Sequence, residues 1–277
     1  MKTFPSLILF FLCMPAFAEM RTDIEFAKPD GFSLKLDASI PDGLGPFPTV
    51  IIVHGGGFTA GNKQTYVKPL FEPLTKNNFA WFSIDYRLAP QHQFPAAVQD
   101  VEAAIRYVKK HAREFKVDPK RIALVGESAG GYLVSYVCVT GKGATRVSAV
   151  VPFYGPHDLE TRARKSGTIS EGLKGFLGIT ELNAAAFKKL HEVSPINHVK
   201  KGLPPFLLIH GTKDPLVPYE QSVLMREKLI AAGNRCDLFT IEEGAHGMGG
   251  WKDDAYKTKL VEWLGAVLDE KTGKSGK

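Results

Sequence analysis

Apolar residues along this chain fall into two recurring arrangements. Short continuous runs alternate with longer stretches in which apolar positions return every three or four residues. Val50-Ile51-Ile52-Val53 is a run of the first kind, and Phe206-Leu207-Leu208-Ile209, after Pro204-Pro205, is another. Neither alternates apolar with polar, which fits strands covered on both faces. Residues 79–86, 121–125, 147–154 and 236–241 read as further strands. Residues 96–115 carry Val98, Val101, Ala104, Ile105 and Val108, the spacing of an amphipathic helix. Helices are also predicted at 66–77, from Gly131 onward, at 220–232 (ended by Gly233) and at 257–268. Ile24-Glu25-Phe26-Ala27 and Leu34-Lys35-Leu36-Asp37-Ala38 flank Pro29-Asp30-Gly31 and read as an antiparallel hairpin.

Strands spaced by helices imply an α/β fold: a mostly parallel sheet, mixed because of the first hairpin, with helices on both faces. No internal repeat or interdomain linker interrupts residues 19–270, which are expected to form a single domain. Residues 158–201 contain no strand, one weak helix at 182–190, and many Lys, Gly and Thr residues. They are expected to be an insertion, a small cap over the active-site face. The tail 271–277 is expected to be disordered.

Composition narrows the function classes. The chain has 277 residues, 44% apolar and 23% charged, as in an ordinary globular enzyme. The net charge of +6 comes partly from Lys271, Lys274 and Lys277 and is not gathered into a basic run interleaved with aromatics. Nucleic-acid binding is therefore not expected. Lys2, the apolar run Leu7-Ile8-Leu9-Phe10-Phe11-Leu12 and Ala16-Phe17-Ala18 have the order of a signal peptide over residues 1–18. The mature chain would begin at Glu19 and be exported. The apolar run is too short to span a bilayer, so stable membrane insertion is not expected. Of the cysteines left, Cys138 and Cys236 read as separate, buried, reduced thiols, although export permits a disulfide.

Gly126-Glu127-Ser128-Ala129-Gly130 carries the chemistry. This G-x-S-x-G pentapeptide follows a predicted strand and precedes a predicted helix, the setting of a nucleophile elbow. A serine nucleophile needs a base, and the base an orienting acid. Asp214 follows the strand at 206–209 and His246 the strand ending at Ile241, so both leave the sheet on the edge that carries Ser128. Asp158 is the rival acid, but it follows the wrong strand for the chain order Ser…Asp…His. Asp253 and Asp254 are poorer candidates still. His54-Gly55-Gly56-Gly57-Phe58 follows the strand at 50–53. The amides of Gly56 and Gly57, with that of Ala129, could aim at one developing oxyanion. His54 is expected to prop this loop, and Glu127 to make supporting hydrogen bonds or act catalytically. His210 reads as structural; His92, His111, His157, His191 and His198 read as surface or loop residues. No pair of histidines has metal-ligand spacing, so no metal site is expected.

Taken with Asp85-Tyr86-Arg87-Leu88-Ala89-Pro90, His210-Gly211-Thr212-Lys213-Asp214 and His246-Gly247, these motifs resemble the hormone-sensitive-lipase-like esterases of the α/β-hydrolase superfamily. The resemblance covers most of the chain after the signal. It implies a cofactor-free serine carboxylesterase with Ser128, Asp214, His246, Gly56, Gly57 and Ala129 in the roles above. Asp85, with Tyr86 and Arg87, would support the elbow. One departure stands out: such esterases carry a long helical cap before the glycine loop, and here that segment reads as strands. A short-capped, exported member resembles the acetyl-xylan and feruloyl esterases that deacylate plant polysaccharide. The alternatives are a generic short-chain carboxylesterase, a kynurenine-formamidase-like amidase, a serine peptidase, or a hydrolase-fold binder without activity.

Overall fold

The computed structural model describes residues 18–252 and 254–270. The expected signal segment through Phe17 and the tail from Lys271 lie outside them. Eight strands form one sheet: β1 (Glu19–Ala27), β2 (Leu34–Ile40), β3 (Phe47–Val53), β4 (Ala80–Ile84), β5 (Val117–Glu127), β6 (Ala149–Phe153), β7 (Phe206–Gly211) and β8 (Cys236–Ile241). Their spatial order is β1-β2-β4-β3-β5-β6-β7-β8. β2 runs antiparallel to β1 and to β4, and every other neighbouring pair is parallel. This is the mixed, mostly parallel sheet of an α/β-hydrolase.

The continuous apolar runs are explained by two cores, one on each face. Successive side chains of a strand point to opposite faces. Ile51 and Val53 enter a core shared with Leu124, with Val101 and Ile105 of α2 (Ala96–Lys110), and with Leu133 and Val137 of α3 (Ala129–Thr140). Val50 and Ile52 enter the other core, with Leu74 of α1 (Phe71–Lys76) and with Leu260 and Leu264 of α8 (Ala255–Glu270). Each central strand is thus sealed from water on both sides. Cys138 and Cys236 are free and buried, and burial pushes the Cys138 thiol well up and that of Cys236 up to about 12. Among the described residues, no helix is long and apolar enough to cross a membrane.

Two helix predictions are corrected. The helix expected over 66–77 is a single 3-10 turn at Lys68–Leu70 followed by the short α1. Tyr66 has φ 64°, and Pro69 and Pro73 lack amide donors, so no longer helix can form there. The segment 158–201, read as one weak helix, contains three: α4 (Leu159–Ser166), α5 (Glu171–Leu177) and α6 (Ala184–Val193). Asp158, Ser170 and Asn183 accept the N-terminal amides of Thr161, Leu173 and Ala186. Gly167 and Gly178 end α4 and α5 in the left-handed region. Phe176 anchors this layer, stacking on Phe58 at 4.1 Å and meeting Tyr132 and Phe94 edge-on. Burying such a ring contributes roughly 2–3 kcal/mol. The remaining helix, α7 (Glu220–Ala231), lies between β7 and β8 in sequence and buries Met225 and Leu229.

Candidate active site

Four loops leave the C-terminal ends of β3, β5, β7 and β8 on one edge of the sheet. Between β5 and α3, Ser128 sits at φ 53° and ψ −116°, a strained backbone for a residue with a Cβ. Its amide donates to Phe153 O at 2.9 Å, which ties the turn to β6. Gly130 lets the first turn of α3 dock on the end of β3: a Cβ there would lie 2.1 Å from Val53 O and 2.5 Å from His54 O. The elbow and the glycine loop are therefore in backbone contact, and the distance between nucleophile and glycine-loop amides is set by packing.

Ser128 Oγ lies 2.9 Å from His246 Nε2, and His246 Nδ1 lies 2.6 Å from Asp214 Oδ2. Residues 118 and 32 positions apart in sequence are thus joined in one relay. Asp214 Oδ1 accepts the amides of Leu216 and Val217, each at 2.8 Å. His210 Nε2 lies 2.9 Å from Val217 O and 3.2 Å from Asp214 Oδ2. Both are acceptors, so Nε2 carries the hydrogen, and Nδ1 accepts from the Ser222 hydroxyl at 2.8 Å. His210 is accordingly a brace for Asp214. Burial alone would raise the Asp214 pKa. Hydrogen bonds from His210, His246 and the Val217 amide prevail and hold the carboxyl well below the usual range.

The glycine loop is propped from beneath. His54 Nδ1 donates to Gly55 O at 2.7 Å and its ring stacks on Tyr86 at 4.3 Å. Burial lowers the His54 pKa to about 4, so the ring is neutral at physiological pH and is a prop. Glu127 accepts the Gly55 amide at 2.5 Å, and burial raises its carboxyl to about 7. Asp85-Tyr86-Arg87 was expected to support the elbow, and the structure assigns it elsewhere. Tyr86 Oη is 3.1 Å from both His54 O and Gly55 O, and Asp85 accepts the Lys63 amide at 2.8 Å. Arg87 pairs with Asp100 of α2 at 2.8 Å. The reason is strand order: β4 neighbours β3 and not β5, so its exit reaches the glycine loop first.

Among the described residues, the amides of Gly56 and Gly57 make no hydrogen bond, and that of Ala129 opens α3, where no intrahelical acceptor exists. These amides and the Ser128–His246 pair line one cleft of about 730 Å³, with Tyr66, Arg162 and Leu216 at its walls. Asp158, the rival acid, is occupied as the N-cap of α4. His157, read as a surface or loop residue, is in a loop but wholly buried. Gln221 fixes its backbone amide, its ring nitrogens have no partner, and burial lowers its pKa to about 3. Arg162 and Tyr66 were not singled out by sequence: neither stands beside a motif, and only the folding of the insertion and the turn before α1 brings them to the cleft.

Comparisons with known proteins place the chain in a family. A family model, BD-FAE, matches residues 36–229. The chain belongs to the BD-FAE family. The matched span of this BD-FAE chain includes the glycine loop, the elbow and Asp214, and stops short of His246. Its curated relatives include esterase LipC of Mycobacterium tuberculosis, 30% identical over 67% of this chain and 49% of LipC. The chain spans about half the length of the curated relatives it matches. A truncated carbohydrate esterase from gut microbiota superposes with a TM-score of 0.80 at 26% identity, over 91% of this chain and 97% of that one. A thermophilic esterase from the planctomycete Thermogutta terrifontis gives 0.70 at 27% identity, over 90% of each.

In chemical terms, the site pairs a serine hydroxyl with an imidazole whose far nitrogen faces a carboxylate. Unpaired amides converge on the same cleft. Attack on a carbonyl needs a base, a fixed tautomer and donors for the oxyanion. All three are provided by the chain's own residues.

Proposed function

We propose that the protein is an exported serine carboxylic-ester hydrolase acting by an acyl-enzyme. Ser128 Oγ attacks the ester carbonyl while His246 Nε2 takes its proton. The amides of Gly56, Gly57 and Ala129 hold the oxyanion, and Asp214 fixes the tautomer and stabilises the imidazolium. His246 then returns the proton to the departing alcohol. Water, deprotonated by the same imidazole, releases the acid. The observation that carries this reading is the relay of 2.9 and 2.6 Å from Ser128 through His246 to Asp214. Ser128→Ala should lower kcat/KM on 4-nitrophenyl acetate by about 10⁴–10⁶-fold. Retained turnover in that variant would sink the proposal.

The substrate reading is finer: removal of acetyl or feruloyl groups from plant polysaccharide. It is supported by the likeness to a carbohydrate esterase and by Tyr66, 61% exposed at the cleft wall, where a sugar ring could stack. Acetate released from acetylated xylan, or ferulate from methyl ferulate, tests it. Activity on 4-nitrophenyl acetate alone would favour a generic short-chain carboxylesterase, the second reading, which the likeness to the Thermogutta esterase supports. Export predicts that protein recovered outside the cytoplasm begins at Glu19.

A further inference from the structure

Arg162, on α4 of the insertion, lines the cleft that holds Ser128 and His246. Among the described residues its side chain makes one hydrogen bond, from Nη2 to Leu216 O at 2.7 Å. A guanidinium has five N–H donors, so most of its capacity is unspent. No acidic side chain forms an ion pair with it among the described residues. The acids nearest in sequence are engaged elsewhere: Asp158 caps α4, and Glu160 pairs with Arg164 and His191. Arg162 is half-buried, and burial lowers its pKa, yet a guanidinium does not lose its proton in proteins. Asp214 attracts the guanidinium from beyond ion-pair distance while bound to His210 and His246, so no carboxylate meets it directly, and a substrate carboxylate would offset the cost of its partial burial. Lys68 also lines the cleft, exposed and without an ion pair among the described residues. Among the described residues, Glu127 is the only acid of the lining; it is 3% exposed and turned to the Gly55 amide. The free charge presented to a substrate is therefore positive.

We propose that the cleft selects esters bearing a free carboxylate, and that Arg162 is the specificity-determining residue that binds it. The planar fork of a guanidinium matches the two oxygens of a carboxylate, and partial burial strengthens the pair. Lys68 adds a longer-range attraction, which salt weakens. The class covers a carboxylate on either side of the scissile bond: on the acyl group, as in a hemisuccinate, or on the alcohol, as in an acidic sugar or hydroxybenzoate.

The inference rests on the serine-esterase reading, and its test separates the two. Two matched pairs are compared: mono-4-nitrophenyl succinate against its methyl ester, and 4-acetoxybenzoate against methyl 4-acetoxybenzoate. The readout is the ratio of kcat/KM, anionic over neutral, within each pair. The wild type should give a ratio above one for at least one pair, and the pair that does so places the carboxylate on the acyl or the alcohol side. Arg162→Gln should lower that ratio about tenfold or more, and Arg162→Lys by less, since it keeps the charge without the fork. High salt should lower the wild-type ratio too. Arg162 also straps the loop of Asp214 through Leu216 O. If that were its whole role, both members of a pair would fall together and the ratio would hold, overturning the inference. A wild-type ratio of one or less in both pairs would overturn it as well. Hydrolysis of the neutral esters that persists in Ser128→Ala would instead defeat the esterase reading.

Discussion

The sheet edge and the insertion that covers it are built on different terms. At the edge, each functional residue sits at a fixed offset from the end of a buried strand, and the sheet brings the offsets together. Ser128 is one residue beyond β5, and Gly55 two residues beyond β3. In the insertion no sheet imposes a register. α4, α5 and α6 are 8, 7 and 10 residues long, too short to be stable alone, and depend on caps and on a few buried side chains such as Leu159, Phe176 and Leu190. The edge carries the proposed reaction machinery, whereas the insertion supplies Arg162 and Ser170 to the cleft walls. Chemistry is thus fixed by the rigid part, and access by the part that owes its shape to packing.

After loss of Ser128 itself, the largest expected effect is at the edge, where the acid Glu127 is buried beside the relay. Burial raises its pKa from 4.5 to about 7. Between those values the folded chain keeps a proton that the unfolded chain has released. The stability contribution of Glu127 is therefore fully present below about pH 4.5 and is lost as pH rises through about 7. The difference amounts to roughly 3 kcal/mol at most. Glu127→Gln can still accept the Gly55 amide but does not titrate. Wild-type Tm should fall relative to the variant's between about pH 5 and about pH 8. A constant gap between the two across that range would refute this account of the buried acid.

The next effect lies where the two regions touch. A Cβ on Gly172 of α5 would lie 2.3 Å from Gly57 O, so the insertion rests on the backbone of the glycine loop. Gly172→Ala must push α5 away or displace Gly57, and displacing this proposed oxyanion donor should lower kcat by about 10–100-fold. Gly175→Ala, three residues on, is the control. Its Cβ would meet nothing closer than Pro90 Cβ at 3.5 Å, an ordinary contact. Equal kcat in the two variants would mean that the insertion covers the cleft without touching its chemistry.

The same contrast explains what could be read from the amino acids alone. Strands β3, β5 and β7 announce themselves through unbroken apolar runs, and the elbow, Asp214 and His246 follow at recognisable distances. The insertion was read as one weak helix because α4 buries only Leu159 and Ala163, too few for a periodic stripe. Its caps were nonetheless present: Asp158 and Gly167 bracket α4, and Ser170 and Gly178 bracket α5. The destination of Asp85-Tyr86-Arg87 was misread because it depends on β4 lying beside β3, a fact of sheet order that no local pattern contains. Full burial of His157 has the same origin, since it follows from the packing of β6's exit against α7 through Gln221.

The smallest effect is the sharpest test of how far the two regions are separable. Asn183 caps α6 by accepting the Ala186 amide at 3.0 Å and stands outside the residues that line the cleft. Asn183→Ala should cost about 1 kcal/mol, a fall in Tm of about 2–4 °C for a chain of this size. At its other end α6 reaches the elbow helix, where Tyr132 Oη donates to Val193 O at 2.8 Å. If the insertion behaves as independent short helices, fraying the start of α6 is absorbed within its first turn, and kcat/KM stays within about twofold of wild type. A larger fall in kcat/KM at a temperature well below Tm would mean that strain at Asn183 travels through α6 to Tyr132 and α3. The insertion would then be part of the scaffold that holds Ser128 in its strained turn.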